Sequence, residues 1–348
     1  MKTEHKIDQK KIAQTLHINK VWIPLVFGVG MIIYLIATDP ELKIDQIPRI
    51  WQANIWYILL AIATVIMRDI LYISRIRILT HGSLSWLSCI FIIILWEFSS
   101  AVTPSAVGGT LIATFLFLKE GISFSKALAY VMVTAIFDNM FFILMAPLSS
   151  FLTANKLLEA TTLLENSLHI GFWISYILIT FYTIIMIFAL FVQPKFFKWA
   201  LIKITSIKPL RRWAAWATQQ GNEMIMASQA LKGEKAAYWI KIGIVTLLVW
   251  TARYGILNLL IAAYVPVNWL EHISIFGKHI IMWVTMLISP TPGSSGTAEY
   301  FFKKLYGDLL GQYTLITTIL WRMITYYLYL FAGIIVLPRW LKRRTPHL

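Results

Sequence analysis

Long apolar runs dominate the chain, at 21–38, 54–73, 126–148, 169–192, 239–263 and 313–337. Each has the roughly 17 to 25 residues that a helix needs to cross hydrocarbon, so each predicts a spanning α-helix. Two further apolar stretches are interrupted. The arms 84–100 and 104–118 flank TPSAVGGT, and the arms 276–288 and 297–309 flank SPTPGSSGTAEYF at 289–301. All four arms are shorter than a full span. Pro290, Pro292, Gly293 and Gly296 cannot continue a regular helix cheaply. In hydrocarbon an unpaired backbone group costs several kcal/mol, so helices break there only where protein or a water-filled cavity surrounds them. The first pair reads either as two short spans or as a hairpin dipping in from one face. The second reads as a re-entrant hairpin whose tip faces a polar cavity.

Basic residues orient these elements. Arg75 and Arg77 follow the second run, Lys119 and Lys126 the first broken pair, and Lys342, Arg343 and Arg344 the last run. By the positive-inside bias these mark the cytosolic side, whereas the loops holding Asp39, Glu41 and Asp45, Glu159 and Glu165, and Glu271 and His272 lie outside. The first run follows Lys10, Lys11 and Lys20 but precedes Asp39, Pro40 and Glu41, which is no small-residue cleavage site, so it reads as an uncleaved helix.

The expected fold is an all-α polytopic membrane protein built as an inverted repeat, each half holding three spanning helices and one re-entrant broken hairpin. A cytosolic basic tail covers 1–20, the first repeat 21–165, the second 166–340 and a second cytosolic tail 341–348. Both termini are placed in the cytosol and the protein in the cytoplasmic membrane. Four residue pairs support the repeat by recurring at nearly equal intervals: Arg68 with Arg253, Pro104 with Pro290, Gly109-Thr110 with Gly296-Thr297, and Asp138 with Arg322. Inverted repeats with broken helices meeting near the midplane are a transporter signature.

Composition excludes a soluble fold. The chain is 58% hydrophobic and only 14% charged, with a mean hydropathy of +0.70. Its net charge of +15 sits mostly in loops and tails, which points to anionic lipid and away from nucleic acid. Within 193–238, Lys195, Lys198, Lys203, Lys208, Arg211 and Arg212 interleave with Trp199, Trp213 and Trp216, as in interfacial amphipathic helices. Cys89 is the single cysteine, so there is neither an intrachain disulfide nor a cysteine metal site, and the scattered histidines lack HExxH spacing. No cofactor is expected.

Arg68, Glu97, Asp138, Arg253, Glu299 and Arg322 fall within or beside apolar segments. A charge at the bilayer centre costs roughly 2.5 to 3.5 kcal/mol even on insertion scales, so such residues face a cavity and pair with one another. Singly, an arginine near a span end reads equally as a snorkelling side chain. Helix starts at Thr110 and Thr297 would present backbone N–H groups, and with nearby arginines they make an anion site suited to phosphate. The expected substrate-binding set is Arg68, Pro104, Gly108, Gly109, Thr110, Asp138, Arg253, Pro290, Pro292, Gly293, Gly296, Thr297, Glu299 and Arg322. Glu97 and Glu299 read either as proton carriers or as counter-ions. No paired His-Asp, DxD or Ser-His arrangement appears, which speaks against a catalytic role; a membrane-embedded lipid-modifying enzyme and a non-transporting assembly subunit are the alternatives to transport.

At these residues the chain resembles the flippase-like integral membrane family that includes the transmembrane region of lysylphosphatidylglycerol synthases. PTPGSSGTAE at 290–299 is similar to that family's PTPGGxGxxE, and LWRMITYY at 320–327 to its arginine-bearing last helix. TPSAVGG with Asp138 downstream resembles its first broken segment and following aspartate. The chain departs from the family at Thr134 and Ala135, where further charges are common, and at Ser294-Ser295, where glycine is. The resemblance implies movement of a lipid between leaflets, an aminoacylated phosphatidylglycerol or a polyprenyl-linked intermediate, with a homo-oligomer or a separate lipid-modifying enzyme as partner. With Leu348 the last residue, no aminoacyl-transfer domain follows and lysyl transfer itself is not expected.

Overall fold

The computed structural model describes residues 26, 30, 33, 34, 37, 44–103, 106–152, 163–287 and 291–343. These are helical throughout, with no strand among the described residues. A 3-10 segment, Ile44–Gln52, leads into α1 (Ile55–Leu79), α2 (Trp86–Val102), α3 (Ala106–Lys119), α4 (Phe124–Leu152) and α5 (Leu163–Ile187). There follow α6 (Pro194–Thr205), α7 (Ala214–Ala230), α8 (Ala236–Ala262), α9 (Trp269–Met286), α10 (Thr297–Leu310), α11 (Thr314–Arg322) and α12 (Leu328–Lys342). Among the described residues, five helical runs are long and apolar enough to cross a membrane: Ile55–Leu79, Phe124–Leu152, Ile170–Val192, Ala236–Ala262 and Pro292–Lys342. The protein is an integral multi-pass membrane protein.

Helix starts follow their capping residues. Asn54 Oδ1 accepts the Trp56 N–H at 3.0 Å ahead of α1, and Ser85 Oγ accepts the Ser88 N–H at 3.1 Å ahead of α2. Ahead of α9, Asn268 and Glu271 exchange reciprocal bonds of 3.0 and 2.7 Å. Each satisfies a donor that the helix start leaves over, which matters most where water is excluded.

The bundle is centred on α1 and α8, which pack antiparallel along their length. Asn54 N–H donates to Ala263 O at 2.8 Å at one end, and Tyr238 Oη to Leu79 O at 3.2 Å at the other. The α2–α3 pair opens at the second of these ends. It begins just beyond the turn at 80–85 and finishes where Lys119 Nζ donates to Trp340 O at 2.6 Å and Leu341 O at 2.9 Å. The α9–α10 pair opens at the first end. Asn258 Nδ2 donates to His272 O at 2.7 Å, the Tyr264 and Tyr313 rings stack at 5.1 Å, and Arg49 donates to Gln312 O at 3.3 Å.

Without a hydrophobic force between helices in lipid, close packing and polar contacts hold the bundle. At the crossing of α12 on α2, a Cβ on Gly333 would lie 2.2 Å from the Phe98 ring. Gly333→Ala is therefore expected to force the two helices apart at a cost of about 1 to 3 kcal/mol. A lowered thermal midpoint in detergent checks this, and an unchanged midpoint refutes it.

Several boundaries differ from the apolar pattern. The helix expected to stop near Ile73 continues to Leu79, so Arg75 and Arg77 lie inside α1 rather than beyond it. Glu271 and His272, expected in a loop, occupy the first turn of α9, where the capping box starts the helix. Of the loop expected at 149–169, 149–152 belong to α4 and 163–169 to α5. Pro104 and Pro290 lie outside the described residues, and for Gly108, Gly109 and Thr110 the structure gives the helical backbone at the start of α3.

Candidate functional site

Arg68, Glu97, Asp138, Arg253, Glu299 and Arg322, the charges singled out in the apolar pattern, each have a counter-charge on the chain, and three of the four pairs meet at α1. Arg68, Tyr72 and Arg75 recur at helical spacing and so share one face of α1. Arg68 Nε and Nη2 donate to Asp69 Oδ1 at 3.1 and 2.8 Å. Tyr329 of α12 donates to both oxygens of that carboxylate at 2.7 and 2.6 Å and also contacts the Arg68 guanidinium. Arg253 of α8 meets Glu97 of α2 as a bidentate pair at 2.6 and 3.1 Å, and its Nη1 donates to Tyr72 Oη at 3.0 Å. Arg75 donates to Asp138 of α4, whose same oxygen accepts the Trp250 indole N–H at 2.7 Å.

Two aromatic residues join these pairs. The Arg75 guanidinium lies 5.0 Å from the Tyr72 ring, and that of Arg253 lies 5.4 Å from the Trp250 ring. Planar guanidinium groups bind carboxylates in two-point fashion and stack on rings, which suits arginine over lysine at all these positions.

The fourth pair lies at the break between α9 and α10. Gly293 at φ 55°, Ser294 at φ 53° and Gly296 at φ 86° turn the chain through left-handed backbone. Gly293 is required twice over, because a Cβ there would also lie 2.5 Å from the Tyr326 ring. The turn frees backbone donors, and Glu299 folds back from the first turn of α10 so that its Oε2 accepts the Gly296 N–H at 2.7 Å. Its Oε1 lies 2.8 Å from Arg322 Nε, with the two side chains 0% and 5% exposed. This contact is an ion pair by distance without the alignment of a hydrogen bond. Arg322 Nη2 donates to Ser295 Oγ at 3.1 Å, and the guanidinium lies 3.9 Å from the Tyr326 ring centroid.

Arg322 closes α11, and a π-helical turn, Met323–Tyr327, follows before α12. Such turns occur often at functional sites. This one carries Tyr326, which connects the two broken segments. Ser295 Oγ donates to Tyr326 Oη at 3.1 Å, and Tyr326 Oη donates to Ala101 O, near the end of α2, at 3.0 Å. An open groove of about 480 Å³ adjoins the turn, lined by Val26, Gly30 and Tyr34 and by Thr291, Ser295 and Tyr300. Ser295 thus lines the groove and bonds to Arg322.

The structure therefore places Arg68, Glu299 and Arg322 in buried polar contacts and Asp138 and Arg253 in half-buried ones. Pro292, Gly293, Gly296 and Thr297 lie in the turn and at the start of α10. Arg68 and Arg253 are engaged by Asp69 and Glu97, and Arg322 is the arginine bonded to the turn. Arg75, expected to flank a span on the cytosolic side, is instead buried against Asp138, because a carboxylate on a neighbouring helix removes the penalty for keeping it inside. Asp69, Tyr72, Trp250 and Tyr329 were not anticipated. Arg68-Asp69, an adjacent base and acid within an apolar run, was the legible signal for the first of them.

Residues 21–333 match the family described as the lysylphosphatidylglycerol synthase TM region. A UPF0104 membrane protein of Archaeoglobus fulgidus is 20% identical over 327 residues, which cover 88% of this chain and 94% of that relative. A match across so much of the chain, over the broken segments and the paired charges alike, shows that this protein belongs to the lysylphosphatidylglycerol synthase transmembrane-region family.

Proposed function

We propose that the protein moves a lipid with an anionic headgroup, a phospholipid or a polyprenyl-phosphate type carrier, between the leaflets of the cytoplasmic membrane without altering it chemically. The Arg322–Glu299 pair carries this reading. It places a cation and a resident carboxylate at a helix start, shielded from water and linked through Ser295 to an open groove. A headgroup phosphate has the charge and geometry to replace the carboxylate on Arg322 and on the Gly296 N–H, while its tails stay in lipid. Glu299 is then the counter-ion that makes the site reversible.

In this reading the two halves form an inverted repeat, and α2–α3 and α9–α10 are re-entrant hairpins. The antiparallel pairing of α1 with α8 and the opening of the hairpins at opposite ends of the bundle support it. The end bearing Arg77, Lys119, Arg339 and Lys342 faces the cytosol, as do both termini. Access alternates as the hairpin tips separate on one side or the other, which requires the Tyr326 link to part.

Liposomes containing the purified chain and a fluorescent anionic phospholipid test the reading through the fraction of label accessible to an impermeant quencher. Transfer faster than in empty liposomes is expected, with the lipid recovered at unchanged mass. A changed mass would replace transport with chemistry. Tyr326→Phe removes hydrogen bonds worth about 0.5 to 1.5 kcal/mol each, so transfer is expected to rise about three- to tenfold. No change in rate would show that this link does not hold the tips together.

A further inference from the structure

We propose that the helical hairpin formed by α6 and α7 is a docking surface for anionic phospholipid headgroups, and that it gathers such lipid at the end of the bundle where α2–α3 opens. The second clause rests on the translocation reading; the first does not.

The hairpin sorts its charges. From 193 to 222 there is no Asp or Glu, while Lys195, Lys203, Arg211 and Arg212 are exposed. Glu223 is turned inward, where its oxygens accept from Gln219 at 2.9 Å and Gln220 at 3.1 Å. The outer face is apolar and aromatic as well as cationic, with Trp199, Trp213 and Trp216 each about half exposed alongside Phe196 and Ile207. Lys203 Nζ lies 4.7 Å from the Trp199 ring and the Arg212 guanidinium 5.6 Å from the Trp213 ring, so charge and ring occupy one level. Tryptophan with lysine or arginine at one level matches the headgroup layer, where a ring is half wetted and a phosphate is within reach. A purely aqueous surface would leave these rings uncovered, and hydrocarbon would leave the cations unsolvated.

The hairpin is also a rigid unit in a defined place. A Cβ on Gly221 would lie 2.4 Å from the Lys198 side chain, so α6 and α7 are in close contact there, and Lys198 Nζ donates to Asn222 at 2.7 Å. Beyond α7, the Glu234 carboxylate accepts from His81 Nε2 at 2.8 Å, and the His81 ring stacks on Tyr238 at 5.0 Å. His81 belongs to the turn that starts α2. The C-terminal end of α7 therefore leads to the end of the bundle where α2–α3 opens.

The test is lipid association measured by electron paramagnetic resonance on the full chain in phosphatidylcholine bilayers. Spin-labelled phosphatidylglycerol and spin-labelled phosphatidylcholine are compared as the motionally restricted fraction at the protein. A preference of at least about threefold for phosphatidylglycerol is expected, lost at about 0.5 M salt. It is also expected to be lost when Lys195, Lys203, Arg211 and Arg212 are together replaced by Gln. Equal restriction of the two lipids, or a preference that survives those replacements, would overturn the inference. So would salt-sensitive capture of polyglutamate by the solubilised chain with no lipid preference, which would make the partner an acidic protein. Because association is read and not movement, a chain that shows the preference yet moves no lipid loses only the translocation reading.

Discussion

Arg322→Ala is expected to reduce transfer of a fluorescent anionic lipid in liposomes to below about a tenth of the parent rate, the loss of at least 1.4 kcal/mol from the site. The substitution removes the cation that holds Glu299 and Ser295. It leaves the Glu299 carboxylate on the Gly296 N–H with nothing to neutralise it, and an incoming phosphate with no arginine to meet. Glu299→Gln separates binding from movement. The amide oxygen can still accept from Gly296, so the turn survives, but the resident competitor for Arg322 is gone. Anionic lipid is then expected to bind at least about tenfold more tightly and to leave more slowly, lowering transfer while raising affinity. Equal rates for Arg322→Ala, Glu299→Gln and the parent would remove this pair from the transport site.

The second large effect concerns stability. Breaking a buried ion pair on one side costs about 3 to 5 kcal/mol, because an unpaired charge remains inside, whereas replacing both partners with apolar side chains often costs little. Arg253–Glu97 ties α8 to α2 with two-point geometry, so Glu97→Met and Arg253→Met are each expected to lower the thermal midpoint sharply in detergent. The double replacement should recover much of the loss. The partial exposure of both side chains, 25% and 18%, leaves room for water and places each single cost at the lower end of that range. Additive losses in the double replacement would mean that the two residues do not act as a pair.

The same contacts explain the close fit around Tyr326. Its ring rests against Gly293 and under the Arg322 guanidinium, and its hydroxyl reaches both broken segments. A side chain with so many partners cannot follow both segments if they separate. Tyr326 is therefore the position at which a small change should act on access between the leaflets rather than on the charge of the site.

Features that depend on neighbours along the chain were legible in the residues alone. Apolar runs set the spans, because backbone groups in hydrocarbon must be satisfied within a helix, and Pro and Gly located the break at 291–296. PTPGSSGTAE and the arginine of LWRMITYY identified the family, and charges in apolar runs marked the residues that needed partners. Which partner each one has was decided only by tertiary structure. Arg253 and Glu97 are 156 positions apart, and Asp69 and Tyr329 are 260 apart, so their pairing depends on how helices cross. Helix length was partly tertiary too. Arg75 reads as the end of a span until Asp138 is beside it, because the cost of a buried charge depends on what surrounds it and not on its position in the chain.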